Sequence, residues 1–513
     1  TFFLGRYGQM TLASPNDEGA AGRLIKPTNR FVPGTPEAEA LADENARRLL
    51  VLDDGMDINP FGDNPEPVPY LGAPPPRTLR AGDRVENLVG VLDFGRINSA
   101  PPGEEARDYR LHPVQQPQFV EANARTDAPV AIDGELKVTG FNVLNYFNGD
   151  GLGGGFPTPR GADTPEELER QEAKLVQAMR ALDAAVYGLM EIENDGYSPE
   201  SAIAELVAAL NEDAGEAVYD FVDPGTAQWG TDAIAVGFIY RQDRVELAPG
   251  TIVAGLETGE FVQGSEQRHR KPMAATFEQL ADGEQFTVVV NHLKSKGSLT
   301  GIPGDEAQGD GQGRNNLSRT RASEALLTWL DSRPTGTDDP DTMIIGDLNS
   351  YAMEDPIRAL TDGGFINLIG EVLGNESYSF IFDGESGTLD HALANSELTQ
   401  QVAGITQWPI NADEPKVIDF DQDFNPAGYF DGSTPFRASD HDPVLVGLNL
   451  GSQALEGDLN GDGSLDSADY QVLIGVFGSQ EGDANFLSAA DLDGDGRITF
   501  VDFQSWYQLF TNQ

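Results

Sequence analysis

Residues 343–351 read MIIGDLNSY, a short apolar run that ends in a carboxylate, Asp347, and a carboxamide, Asn349. Strand side chains alternate between faces, so positions i and i+2 share one, and this spacing predicts that Asp347 and Asn349 project the same way from a strand end. Polar groups held rigidly there suit hydrolytic chemistry. The same letters also spell a buried strand closing into an Asp/Asn turn, and the neighbouring stretches have to distinguish the two.

Outward from this stretch, strands alternate with helices from Leu136 onward. LKVTGFNVLNYF, AVYGLMEIEN, AIAVGFIY, FTVVVNHLK, TMIIGDLN and PVLVGLNL read as strands. LERQEAKLVQAMRAL and residues 201–211 and 319–331 read as helices. Eight polar residues close or follow the apolar runs: Asn142, Glu191, His292, Asp347, Asn349, Asp390, Asp440 and His441. Each alone is explained as a cap or a turn, but a phosphoryl-transfer site needs these residue types together. His391 adjoins Asp390 and, on a strand, faces the opposite way, so it is expected to be incidental.

FNVLNYF, LMEIEN, GTDAIAVGFIY, VNHLKSKG, IGDLNS, TLDHALA and SDHDPV occur in the order found in the endonuclease/exonuclease/phosphatase superfamily, which residues 136–450 resemble. Within it the sequence is most similar to extracellular bacterial nucleases. The resemblance implies a deoxyribonuclease I-like, four-layered α/β sandwich with two mixed sheets, catalysing metal-dependent hydrolysis of nucleic acid, DNA first. It also implies roles. Glu191 would be the principal metal ligand, with Asn142 and Asp440 completing its shell, and Asp347 and Asn349 would orient water or phosphate. His441, oriented by Asp390, would serve as the imidazole of an acid–base pair. His292 would assist the leaving group, supported by Asp232. Oxygen ligands select a hard divalent cation, Mg²⁺ or Mn²⁺ at this site. A phosphatase or a phospholipid phosphodiesterase would share this machinery. A structural or docking protein on a nuclease-like scaffold would have no use for both histidines and four carboxylates at strand ends.

Composition sharpens the substrate question. The 513 residues suggest several domains, and a formal charge of −51 repels a polyanion unless basic groups are gathered locally. Such groups are Arg268, Arg270 and Lys271, then Lys294 and Lys296, then Arg314, Arg319 and Arg321. Arginine matches phosphate with a fork of donors, and the resemblance singles out Arg270, Asn316 and Arg319 as phosphate contacts. Without cysteine there is neither disulfide nor thiolate–metal chemistry, and no apolar run is long enough to span a membrane.

Residues 1–130 are rich in Pro and Gly, with strand-like pieces at 8–13 and 84–94 and a helical pattern over 37–50. RLIKPTNR, RRLLVLDDG and RAGDRVENLVGVLDF resemble the accessory β domain that precedes the catalytic domain in many secreted bacterial nucleases. Compared with that family, the domain looks truncated at its start or completed by something else, and residues 115–133 read as a linker to a catalytic domain at 131–452.

The segment 456–513 is a separate module. DLNGDGSLDSAD and DLDGDGRITFVD begin 33 residues apart, each with oxygen ligands at loop positions 1, 3, 5, 9 and 12 and Gly at 6. The first loop uses Asp458, Asn460, Asp462, Asp466 and Asp469, with Ser464 at position 7. The second uses Asp491, Asp493, Asp495, Thr499 and Asp502, with Arg497 at position 7. Two Ca²⁺ ions are expected, and Leu473, Val476, Phe477, Phe503, Trp506 and Leu509 are expected to form a small α-helical core. A terminal Asp in place of Glu, and no evident helix before the first loop, resemble dockerin domains. That resemblance implies a cohesin-like or cell-surface partner and an extracellular, secreted protein.

Overall fold

A computed structural model describes residues 8–16, 22–55, 70, 78–97, 107–263, 266–422, 427–451, 457–460, 465–483 and 485–511. The chain begins with strands β1 (Gln9–Ala13) and β2 (Leu24–Ile25), a turn of helix Pro27–Arg30, and the helix Pro36–Arg48. Strands β3 (Leu49–Asp53), β4 (Arg84–Glu86), β5 (Gly90–Arg96), β6 (Arg107–Pro113) and β7 (Gln118–Val120) follow. Pro36 opens its helix, and the Thr35 hydroxyl accepts from Ala38 N–H as the cap. The helix stops two residues short of the expected 50. The run LLVLD is taken up as β3, which pairs with β1 and β6 in the four-stranded sheet β1-β3-β6-β5. Part of the expected linker is also a strand: β7 pairs antiparallel with β4.

From 136 on, the strands are β8 (Leu136–Tyr146), β9 (Val186–Glu193), β10 (Tyr219–Phe221), β11 (Ile234–Arg241), β12 (Val245–Leu247), β13 (Ala254–Gly255), β14 (Val262–Gln263), β15 (Glu266–Gln267), β16 (Met273–Gln279) and β17 (Gln285–His292). They continue as β18 (Thr342–Asp347), β19 (Ile366–Asn367), β20 (Phe380–Phe382), β21 (Glu385–Gly387), β22 (Asp390–Ala394), β23 (Val402–Gln407) and β24 (Val444–Leu448). Two mixed sheets result, ordered β10-β11-β9-β8-β24-β23 and β12-β16-β17-β18-β22-β19. The parallel pairs β8/β9 and β17/β18 each enclose a helix, Pro165–Leu182 and Asn316–Leu330, because parallel neighbours need a crossover.

The near-continuous apolar runs of these strands are explained by burial on both faces. Val288, Val290 and Ile345 join Val138, Val186 and Met190 in one core between the sheets. Their immediate neighbours Tyr187 and Leu189 pack with Leu175, Met179 and Leu206 of the helices Pro165–Leu182 and Ala202–Ala214. On the other sheet Val289 and Ile344 pack with Ala322, Leu326 and Ile357 of Asn316–Leu330 and Asp355–Asp362.

The N-terminal residues are built into this body. β2 runs parallel to β21. Asn29, fully buried, donates to the carbonyls of Asn375 and Ser377 while its oxygen accepts from Thr388 N–H. Arg23 and Arg80 pair with Asp413 at 2.8 and 3.3 Å, and Arg125 reaches Glu414 at 2.5 Å. Buried ion pairs with several hydrogen bonds each are costly to break one-sidedly, so these arginines tie their own N-terminal segments to the loop before β24.

Candidate active site and calcium loops

Strand register assembles the centre. His292 of β17 lies beside Asp347 of β18, which lies opposite Asp390 of β22. Paired residues point to the same face, so imidazole and two carboxylates stand in a row. β17 and β18 approach so closely that a Cβ on Gly346, which has φ +131°, would sit 2.0 Å from the Asn291 carbonyl oxygen. Asp347 is the last residue of its strand, and Asn349 reaches it by a turn rather than by strand alternation. Asn349 has φ 49°, its backbone N–H donates to Asp347 Oδ1 at 2.8 Å, and its amide donates to Oδ2 at 3.1 Å.

Glu191 is aimed by a bulge. On β9, Met190 and Ile192 are paired with both β8 and β11 while Glu191 is skipped, and its φ of 68° is in the left-handed region. A non-glycine residue there is strained, and a bulge redirects its side chain. Glu191 accepts from Asn145 N–H at 3.0 Å and from the Asn142 amide at 3.3 Å. Asn142 also reaches Asp347 Oδ2 at 3.5 Å, which joins the two sheets at the site.

Two imidazoles flank Asp347 Oδ2, His292 Nε2 at 3.4 Å and His441 Nε2 at 3.9 Å. Burial and the Arg270 guanidinium, whose Nη1 is 3.5 Å away, hold His292 well below the ordinary imidazole range. Burial also opposes charge on His441, but Asp390 and Asp347 outweigh it and raise its pKa well above that range. Asp390 receives the His441 Nδ1 proton at 2.7 Å and the Ser379 hydroxyl at 2.6 Å. The His441 ring is stacked on Phe380, with centroids 4.6 Å apart.

The donor set fits a hard cation. Burial and the Asp440 charge raise Glu191, and burial together with Asp390 lifts Asp347 to about 7 against the pull of His441. Carboxylates that destabilise one another in a buried pocket are relieved by a divalent ion. Ligand atoms of Asp347, Asp390 and His441 also lie within 4.8 Å of one another, but His441, held charged, is a proton donor there and not a metal ligand.

Several of the expected residues have neighbours that the sequence did not indicate. Asp232, expected to support His292, pairs its two oxygens with Arg270 at 3.1 Å and Arg160 at 3.3 Å, and Arg270 makes the contact to the imidazole. Arg319 is no surface contact. It is completely buried and donates to Ser350 Oγ and to the carbonyls of Lys294 and Arg314, holding the loop after β17. Asn316 donates to Asp355, and half-buried Lys296 pairs with buried Glu354. Arg160, Ser379 and Phe380 were not singled out from sequence. Their segments carry no periodicity, and only the YSF before TLDH offered a polar–aromatic hint. His391 is buried with Nε2 2.8 Å from the Ser350 carbonyl oxygen, facing away from the site.

In the C-terminal segment, ligand atoms of Asp491, Asp493 and Asp502 lie within 4.8 Å of one another. Asp491 accepts from the N–H groups of Asp495 and Gly496, and Arg497 N–H donates to Asp495. Buried Asp502 accepts from Asp493 and Thr499 N–H. In the first loop Asp469 repeats this, accepting from Leu459, Asn460 and Asp466 N–H and completing a capping box with Asp466 for the helix Ser467–Val476. Asp462 and Ser464 lie outside the described residues, and Asp458 is partly buried at the loop's start. Leu473 and Trp506 are buried together with Leu459, Leu465, Ala490 and Ile498, whereas Val476, Phe503 and Leu509 pack at the edge of that cluster. Phe477, expected in this core, is 51% exposed because the helix ends before it.

Residues 456–505 match the Dockerin type I domain family. No curated protein matches the chain. Among solved structures, an endonuclease/exonuclease/phosphatase family protein from Bacteroides thetaiotaomicron is similar at 12% identity and TM-score 0.37, covering 62% of this chain and 95% of its own. The human Nocturnin catalytic domain is similar at 15% identity and TM-score 0.37, covering 61% and 94%. The mannosyl-6-phosphatase Bt3783 of Bacteroides thetaiotaomicron is similar at 13% identity and TM-score 0.36, covering 62% and 100%. Among the described residues no helix is long and apolar enough to cross a membrane.

Proposed function

We propose that this chain is an extracellular, metal-dependent phosphodiesterase that hydrolyses nucleic acid, DNA foremost. Its catalytic domain would be a four-layered, deoxyribonuclease I-like α/β sandwich at residues 131–452, with residues 1–130 as an accessory part and 456–513 as a paired-calcium docking module. The reading rests on the two imidazoles that flank Asp347 Oδ2, one held uncharged and the other held charged by its carboxylate partner.

Glu191, Asn142 and Asp440 would hold the cation, Mg²⁺ or Mn²⁺, which when bound polarises the phosphoryl oxygens. Asp347, steadied by Asn349, orients the attacking water and can take up its proton. His441 donates a hydrogen bond from Nδ1–H to Asp390, which leaves its Nε2–H to donate to a phosphate oxygen as negative charge develops. His292 lies across Asp347 on the leaving-group side, and Arg270, bracketed by Asp232, grips the phosphate beside it. Two Ca²⁺ ions would order the C-terminal loops for a cohesin-like or cell-surface partner.

Plasmid DNA, RNA, a phosphomonoester and sphingomyelin incubated in parallel, with Mg²⁺ and with chelator, test the assignment. The expected result is metal-dependent DNA cleavage. Intact DNA with turnover of the phosphomonoester or sphingomyelin would replace it with a phosphatase or lipid phosphodiesterase.

A further inference from the structure

A cavity of about 570 Å³ lies between the N-terminal strands and the centre described above. Its lining includes Phe380 and Asp440 from the centre, and Arg23, Arg84 and Phe119 from the N-terminal residues. Phe380 is also the ring stacked on His441, so the cavity adjoins the position of the scissile phosphate. Arg23 lies over the Tyr378 ring at 4.3 Å, which presents a guanidinium plane.

The acidic lining is largely committed elsewhere. Asp83 accepts from Ala122 and Asn123 N–H, and Glu414 is tied to Arg80 and Arg125, leaving Glu86, Asp383 and Asp440, the last proposed above as a cation ligand. Arg84 is exposed, and its side chain, among the described residues, has no hydrogen-bond or ion-pair partner. An aromatic and guanidinium surface next to an uncommitted arginine is what an unpaired nucleotide requires: bases stack on any π face or guanidinium plane, and phosphate takes the free cation. A duplex keeps its bases stacked on one another and offers none to such a cavity.

We propose that this cavity binds unpaired nucleotides adjoining the scissile phosphate, through Phe380, Phe119, Arg23 and Arg84, and gives the protein a preference for single-stranded nucleic acid. The proposal rests on the nucleic-acid reading above. Neither a phosphomonoester nor a minimal diester would reach the cavity.

The full chain and its Arg84→Glu and Arg84→Lys variants are assayed on single-stranded oligonucleotides of increasing length, on the matching blunt duplex, and on bis(p-nitrophenyl) phosphate. For the parent, kcat/KM is expected to rise with strand length and to exceed that for duplex. Arg84→Glu is expected to lower the ratio of oligonucleotide to minimal-diester kcat/KM about tenfold, through KM, and Arg84→Lys to restore most of it. An unchanged ratio in Arg84→Glu, or a parent that favours duplex, overturns the cavity assignment while leaving the nuclease intact. A parent that cleaves the minimal diester but no oligonucleotide overturns the nucleic-acid reading and this proposal with it.

Discussion

His441 Nδ1 lies 2.7 Å from Asp390 Oδ2 across 51 residues of sequence, and the Ser379 hydroxyl fills the same carboxylate oxygen at 2.6 Å. Asp390 therefore fixes both the orientation and the charge of the imidazole. His441→Ala and Asp390→Asn are each expected to lower kcat by about 10²- to 10⁴-fold. Ser379→Ala, which removes only a support, should cost less. Turnover near the parent level in folded His441→Ala protein, judged by thermal melting, would remove this residue from the mechanism.

Glu191 should report on the cation rather than on proton transfer. Glu191→Gln keeps the shape of the side chain and loses the charge that a divalent ion would neutralise. The expected outcome is a shift of the activity-versus-Mg²⁺ curve to higher concentration. A superimposable curve would place the ion elsewhere.

Arg319 and Arg270 were both expected to hold phosphate, and burial separates them. Arg319→Ala leaves several buried carbonyls without a donor, so its effect should be a loss of stability of about 3 kcal/mol or more. Arg270→Ala and Arg160→Ala should instead weaken DNA binding and flatten its dependence on salt, because fewer counterions are released. Denaturant titration and salt-dependent binding measure the two effects separately.

His269 provides a pH test away from the His441–Asp390 pair. Its Nδ1 accepts from Lys294 N–H at 2.9 Å, and burial together with the Arg319 and Arg270 charges lowers its pKa from 6.5 to about 3. The folded state resists a proton that the unfolded state takes up below pH 6.5. This contribution is therefore complete above 6.5 and declines as pH falls toward 3, by up to about 1.4 kcal/mol per unit. Between pH 7 and 5, the melting temperature of the parent should drop more than that of His269→Gln. Equal slopes would show that His269 is charged in the fold.

For the C-terminal module the test is a calcium titration. Asp491, Asp493 and Asp502 crowd their carboxylates together, and a cation that binds only the folded loop adds its binding free energy to folding. The melting temperature of this segment should rise with Ca²⁺ concentration. A chain ending at Leu450 should keep hydrolysis with added Mg²⁺ or Mn²⁺, and inactivity of that folded truncation would make the module part of the site.

Much of the centre was legible because it depends on local periodicity. Apolar runs of strand length end on His292 and Asp347 and another begins on Asp390, and whichever register the sheet adopts, a strand's terminal residues lie at its edge. The two loops of the C-terminal segment were equally legible, since ligand spacing within twelve residues is a property of the chain itself.

Tertiary structure alone decided the rest. Glu191 points inward because β8 and β11 both skip it, a bulge that no local pattern encodes. Arg319 and Arg270 carry the same side chain in similarly basic stretches, yet packing of the helix Asn316–Leu330 buries one and leaves the other beside His292. No local pattern in the N-terminal residues shows that Asn29 and three arginines bond to the loops that carry Ser379 and His441. Hydrogen bonds and ion pairs between residues hundreds of positions apart leave no period in a sequence, because their partners are chosen by where the folded chain brings them.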